Sequence, residues 1–295
     1  MKPIYVLLGV DMETDVGSFT PFYEGVKHGT PLLLDLFARK GVGGTFFFTG
    51  DCAKENPDVA KMVAESDNEV GCHSLYHETL GDEIFPVPGI KPLLPFEIKP
   101  RLEICKEWVG KASGVTPTSF RCPRLWGSTA VVNALEEIGF TCDVTYPMYY
   151  YREQFAPYHP DRSDWTKKGD STVLEVPNFA DMTMESNDPG LERDRDQWPL
   201  FRTKGGEYLL ERSKTFLDFC DDKDIPRVLA YYIHPWEFWP MEKSYNFGEA
   251  TVIPDEFITK NCGEAALDEL AKLIDGLADM GANFVTANEL TKIFA

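Results

Sequence analysis

The stretch Ile4-Tyr5-Val6-Leu7-Leu8-Gly9-Val10-Asp11-Met12-Glu13 is a short β-rich apolar run that meets two acids at its end. Seven further runs of this kind follow, at Thr45–Thr49, Glu69–Cys72, Ser119–Cys122, Thr141–Thr145, Thr172–Val176, Val228–Ile233 and Asn283–Thr286. Between several of them lie amphipathic stretches with helical spacing: Pro31–Lys40, Pro57–Ser66, Glu97–Ala112, Thr129–Ile138, Tyr208–Lys223 and Ala265–Met280. Pro31 and Pro57 sit where proline is tolerated at a helix start, and Gly41, Gly114, Gly139 and Gly281 sit just past helix ends. Strand–helix alternation of this kind predicts α/β architecture with a parallel sheet and right-handed crossovers. About eight such units predict a barrel rather than an open sheet, and a barrel accommodates all 295 residues as one domain.

Three segments interrupt the rhythm. Residues 81–96 carry four prolines, and 147–169 and 181–206 are rich in aromatic and charged residues, Pro and Gly. Long loops in a compact domain commonly serve as lids or binding loops. With Trp165 and Trp198 among them, these segments are expected to close a pocket over the site.

Composition excludes several classes of function. The 48 acidic residues against 29 basic ones give a formal net charge of −19, which repels phosphate backbones and anionic membrane surfaces. Nucleic acid is therefore not expected as a partner. No apolar stretch approaches the roughly 20 residues that span a bilayer, so no membrane insertion is expected. The run Ile4–Val10 is too short and too soon acidic for a signal peptide, and the expected location is cytoplasmic. The seven scattered cysteines form no Cys-x-x-Cys pair and read as small buried apolar side chains.

The chemistry-bearing residues fall at the C-terminal ends of the predicted strands, where barrels gather their active sites. Asp11 and Glu13 are two apart, so both carboxylates face one side of an extended chain, and Asp15 joins them if the extension persists. The third run ends in His73-Ser74-Leu75-Tyr76-His77, a spacing that puts two imidazoles one helical turn apart, within reach of one metal ion. Two histidines with one carboxylate supply three ligands and leave a position open for water, as catalytic rather than structural sites do. Arg121, in Phe120-Arg121-Cys122-Pro123, can hold a carboxylate through its planar fork. His234, in Tyr231-Tyr232-Ile233-His234-Pro235-Trp236, brings a proton donor to the same mouth.

Taken in order along the chain, these segments resemble the motifs of the polysaccharide deacetylase family, the nodulation-protein-B-like carbohydrate esterases with a distorted (β/α) barrel. Gly9–Glu13 resembles the first motif, which contributes a base and a metal ligand; His73–His77 resembles the second, with two metal-binding histidines. Phe120–Pro123 resembles the third, whose arginine orients the catalytic aspartate, and Leu174-Glu175-Val176-Pro177 the fourth, a pocket wall. Ile233-His234-Pro235 resembles the fifth, whose histidine is the general acid. The resemblance implies a single distorted barrel of about seven or eight parallel strands over residues 1–295. It implies a divalent metal, zinc foremost with cobalt, nickel or manganese as alternatives, on Glu13, His73 and His77, with Asp11, Arg121 and His234 as catalytic groups.

The implied reaction is hydrolysis of a non-peptide C–N amide bond, the deacetylation of an N-acetylated sugar or sugar conjugate. The common first motif has two adjacent aspartates, whereas here Met12 separates Asp11 from Glu13. That spacing resembles a branch with intracellular members acting on small amides, so a ureide or cyclic-imide hydrolase is the alternative. A non-catalytic carbohydrate-binding relative is disfavoured, because competent residues occupy every proposed catalytic position.

Overall fold

A computed structural model describes residues 2–188, 190 and 192–295. The alternation becomes seven parallel strands: β1 (Ile4–Met12), β2 (Thr45–Phe48), β3 (Glu69–Cys72), β4 (Ser119–Phe120), β5 (Cys142–Asp143), β6 (Leu174–Glu175) and β7 (Arg227–Ile233). They adjoin in the order β7-β1-β2-β3-β4-β5-β6. Beyond β6 the chain returns to β7, where the Phe179 N–H donates to the Ala230 carbonyl at 2.8 Å. The sheet thus curls into the distorted barrel expected. A short antiparallel hairpin, β8 (Tyr245–Asn246) with β9 (Thr251–Val252), lies outside it. β10 (Ala282–Phe284) pairs with Ile4–Val6 on the part of β1 that β2 leaves free.

The strands β4, β5 and β6 are shorter than their apolar runs because side chains replace the ladder at their C-terminal ends. The Cys122 N–H donates to Thr145 Oγ1 at 2.9 Å, and the N–H groups of Thr145 and Tyr146 donate to Glu175 Oε1 at 3.0 and 2.7 Å. The six predicted helices form within two residues of their expected bounds. Gly41, Gly114, Gly139 and Gly281 all adopt positive φ, the left-handed conformation that glycine takes without a Cβ clash. Two shorter helices, Gly50–Glu55 and Ala287–Ile293, were outside the sequence prediction. Each spans two turns or fewer, too short for periodicity to register, yet each is capped: Thr49 Oγ1 accepts from Cys52 N, and Thr286 and Glu289 form a capping box.

Every residue of β1 but one is buried, as expected for a strand covered on both faces. Val6, Leu8, Val10 and Met12 join a core between barrel and helices, whereas Leu7 packs inside with Phe47, Val144, Leu174 and Ala230. That interior core also contains Ala287 and Leu290, so the last helix plugs the N-terminal end of the barrel.

The plug is fixed by Glu69 at the start of β3. Its carboxylate accepts from Thr45 Oγ1 at 2.9 Å, Ser119 Oγ at 2.5 Å and the Asn288 N–H at 3.0 Å. Glu69→Ala strands these donors at the end opposite the site. Leaving buried donors unpaired costs about 1–3 kcal/mol each. The expected result is a clear fall in the unfolding midpoint with unchanged metal stoichiometry at the other end, read by thermal denaturation and elemental analysis.

Candidate active site

The row of residues that points into the barrel from β1 runs Leu7, Gly9, Asp11, and it ends at the C-terminal mouth. Arg121 fills the space that Gly9 leaves. A Cβ at residue 9 would lie 2.2 Å from Arg121 Nη2, so glycine is required there by close approach. The guanidinium is wholly buried and shares its donors among three partners: Asp11 Oδ1 at 2.8 Å, the Val144 carbonyl at 3.0 Å and the Tyr231 carbonyl at 3.3 Å. It lies 4.5 Å from the centroid of the Phe47 ring.

Glu13, His73 and His77 converge beside this pair. One ligand atom from each lies within 4.8 Å of the other two. Glu13 Oε2 is 2.5 Å from His77 Nε2 and 3.7 Å from His73 Nε2, while Trp236 Nε1 donates to Glu13 Oε1 at 3.4 Å. Burial alone would raise the Glu13 carboxyl, but the two imidazoles hold it well below the usual carboxylate range. Burial lowers His77 despite the attraction of Glu13. His73 donates from Nδ1 to the Arg121 carbonyl at 2.8 Å, which fixes its tautomer and leaves Nε2 with a lone pair toward Glu13 and His77. An anionic carboxylate and two neutral imidazoles form a donor set suited to zinc and neighbouring divalent ions.

The helical turn expected between His73 and His77 does not form. Ser74 and His77 adopt φ of 65° and 60°, and a bend rather than a helix brings the ring centroids to 5.1 Å. Asp15 is also redirected. Its carboxylate accepts from the N–H groups of Glu24 and Gly25 at 3.0 and 2.9 Å, and burial raises it to about 6. It therefore anchors the loop after β1 instead of facing the cavity with Asp11 and Glu13. Leu174–Pro177 is absent from the cavity wall among the described residues, because Glu175 turns to the N–H groups of Thr145 and Tyr146.

His234 lies across the cavity, buried and stacked on Trp236 at 5.1 Å between centroids. Its Nδ1 and its backbone N–H both meet Glu237 Oε1, at 2.9 and 3.0 Å. Glu237 also accepts from Trp198 Nε1 at 3.0 Å and from Arg202 Nε at 2.7 Å. Burial alone would lower His234; the Glu237 carboxylate, with Glu13 and Asp11 nearby, raises it instead. Sequence reasoning missed Glu237 and Arg202. The signal for Glu237 was present, since a glutamate three residues after a strand-end histidine can cap its backbone N–H. Arg202, 35 residues distant from Glu237, left no local signature.

The cavity these groups share holds about 220 Å³. Phe85 and Val87 from the proline-rich segment and Arg193 and Trp198 from the 181–206 segment line it, as expected of lid loops; Pro189 and Leu191 fall outside the described residues. The 147–169 segment contributes Tyr149 alone, and Trp165 is buried in the core against Tyr146 and Tyr151. Phe19, Arg124, Phe257 and Ile258 complete the wall and had not been singled out from the sequence.

This barrel gathers acids and histidines at the C-terminal ends of its strands. Residues 15–142 match the family model for polysaccharide deacetylases, a span that includes His73, His77 and Arg121. Over that span the chain is similar to the polysaccharide deacetylase family. It is 27% identical over 124 residues to the peptidoglycan-N-acetylmuramic acid deacetylase PdaA of Bacillus subtilis, a match covering 41% of this chain and 43% of that protein. The chain therefore aligns with less than half the length of that relative. Among solved structures it is similar to a Mycobacterium smegmatis protein described as a polysaccharide deacetylase (TM-score 0.63, 18% identity) and to Puue allantoinase (TM-score 0.62, 14% identity). Both likenesses cover 99% of this chain and 90% of the other, and they show the fold.

Gly9→Ala tests whether the arginine's place is set by the missing Cβ. Overpacking of a filled interior typically costs about 1–3 kcal/mol. The variant is expected to lower the thermal midpoint, and turnover is expected to fall further than metal content. Unchanged turnover would show that Arg121 does not need this space.

Proposed function

We propose that this protein hydrolyses a non-peptide C–N amide bond, deacetylating an N-acetylated sugar or sugar conjugate of small size, as one catalytic unit over residues 1–295. The observation that carries the reading is the convergence of Asp11–Arg121, Glu13–His73–His77 and His234–Glu237 on one cavity. The deacetylase activity named for the Bacillus subtilis relative supports the reaction class. Among the described residues no helix is long and apolar enough to cross a membrane. A cytoplasmic setting belongs to the same reading, supported by six cysteines buried as thiols.

Glu13, His73 and His77 would hold the metal, with zinc preferred on this donor set. When bound, such an ion supplies Lewis-acid polarisation of the amide carbonyl and makes a water molecule more acidic. Asp11, its carboxylate oriented by the Arg121 guanidinium, accepts the proton of the attacking water. His234 engages Glu237 through Nδ1, which leaves Nε2 to donate a proton to the departing amine. Trp198, Trp236 and Tyr232 surround the imidazole and exclude bulk water from it.

A ureide or cyclic imide is the second reading, favoured by the small size and the aromatic walls of the cavity. Parallel assays of N-acetylglucosamine, its oligomers, allantoin and succinimide separate the two. Hydrolysis of the ring compounds without acetate release from the sugars would replace the first reading by the second. Faster turnover of long oligomers than of monomers would contradict a small substrate.

His73→Ala or His77→Ala is expected to abolish stoichiometric metal binding, because two remaining ligands hold zinc poorly. Elemental analysis after dialysis against zinc measures this. Asp11→Asn and His234→Ala should keep the metal and lose on the order of a hundredfold or more in turnover, the usual contribution of an acid or base. A raised His234 keeps its proton above the ordinary histidine range and loses it as pH climbs through the raised value. The alkaline limb of kcat against pH should therefore lie above about 6.5. Glu237→Gln should move that limb downward, and an unmoved limb would separate His234 from the general-acid role.

A further inference from the structure

Among the described residues the arginines at 121, 202, 212 and 227 each hold a carboxylate. Two other arginines, Arg124 and Arg193, line the catalytic cavity, and no carboxylate lies within ion-pair distance of either. Each guanidinium lies instead on an aromatic ring of the same cavity: Arg124 at 5.0 Å from the Phe19 centroid, Arg193 at 4.5 Å from that of Phe85. A guanidinium that rests its face on a ring keeps its N–H edge available for donation. Arg124 Nε is buried and donates to nothing.

The backbone holds this arrangement against its own preference. Arg124 and Leu125 adopt φ of 58° and 59°, a region that non-glycine residues seldom occupy and that clusters at ligand clamps. The two cations are close enough to repel: burial lowers Arg124 most, the Glu13 carboxylate raises it, and the charge of Arg193 lowers it again. The charge of Arg193 acts on Asp196, whose carboxylate is already hydrogen-bonded by the Tyr232 hydroxyl. A chain of net charge −19 surrounds the cavity with a field that repels anions, so an anionic ligand needs local cations to enter.

We infer that Arg124 and Arg193 form a subsite in this cavity for an anionic group, carboxylate or phosphate, carried by the substrate. This rests on the reading that the cavity receives the substrate. The anion would donate nothing and accept from both guanidinium edges, relieving their mutual repulsion and satisfying Arg124 Nε. The scissile amide then faces Asp11 and His234 while the charged end lies against the two arginines. Neutral compounds of equal size leave the pair uncompensated and bind less well.

Equilibrium binding by calorimetry tests this without turnover, with Asp11→Asn as the background so that no ligand is consumed. Three matched pairs serve as probes: N-acetylmuramic acid against its methyl ester, hydantoic acid against its primary amide, and N-acetylglucosamine 6-phosphate against N-acetylglucosamine. A charge-assisted bond is worth enough that the anion in at least one pair should bind about tenfold tighter or more than its neutral partner. Adding Arg124→Gln or Arg193→Gln should bring that ratio close to one at unchanged metal content. The pair that shows the preference identifies carboxylate or phosphate.

Two outcomes overturn the inference: no anion binds tighter than its neutral partner, or the preference survives both substitutions. Arginine-dependent binding of an anion that the wild-type protein never hydrolyses would instead keep the subsite and remove the hydrolase reading.

Discussion

The buried pair of Arg121 and Asp11 organises the mouth of this barrel. An isolated guanidinium inside an apolar core would be costly, and removing one partner of a buried pair typically costs about 3–5 kcal/mol. Here the charge is balanced by one carboxylate, two carbonyls and an aromatic face, contributed by β1, β2, β7 and the segment after β5. Those contacts require a residue without a side chain at position 9. The same residue serves the neighbouring cluster, since its carbonyl fixes the ring of His73. The Asp11 carboxylate and one of the histidines beside Glu13 are thus positioned by a single residue.

Two glutamate-centred groups divide the charge around the cavity. Glu13 is held anionic by two imidazoles, and Glu237 by Arg202 and His234. The first glutamate faces the position a cation would take. The second keeps a proton on the histidine across the cavity. Between them the aromatic rings of Trp198 and Trp236 limit the water that would otherwise screen both. Opposite pulls on groups so close together are what separates an acid from a base within one small volume.

Much of this was legible from residues because it is local. The apolar runs fixed where strands begin, and prolines and glycines fixed where helices start and stop. The His73–His77 spacing does bring the two rings together, but not by the helical turn it suggested. Two left-handed residues, not a helical turn, close the distance, and positive φ at serine and histidine has no signature in sequence. Asp15 would have joined Asp11 and Glu13 only had the extension persisted; the N–H groups of Glu24 and Gly25 capture its carboxylate instead. Glu175 left the cavity wall for a similar reason. Arg193 and Phe257 reach the cavity, and Arg202 reaches Glu237, from segments with no periodic pattern that only the fold brings together.

The pairing of β1 bears on how the chain is made. Its edges are covered by β2 on one side and, on the other, by β7, with β10 completing the remainder. The second and third of these partners are synthesised after residue 226, so the longest strand leaves the ribosome long before its last neighbours exist. Until then it presents an unpaired edge flanked by buried-type side chains, the kind of surface that invites misassembly. Closure of the barrel is therefore a late, long-range event, and a nascent chain of this design depends on being shielded until its final third has emerged.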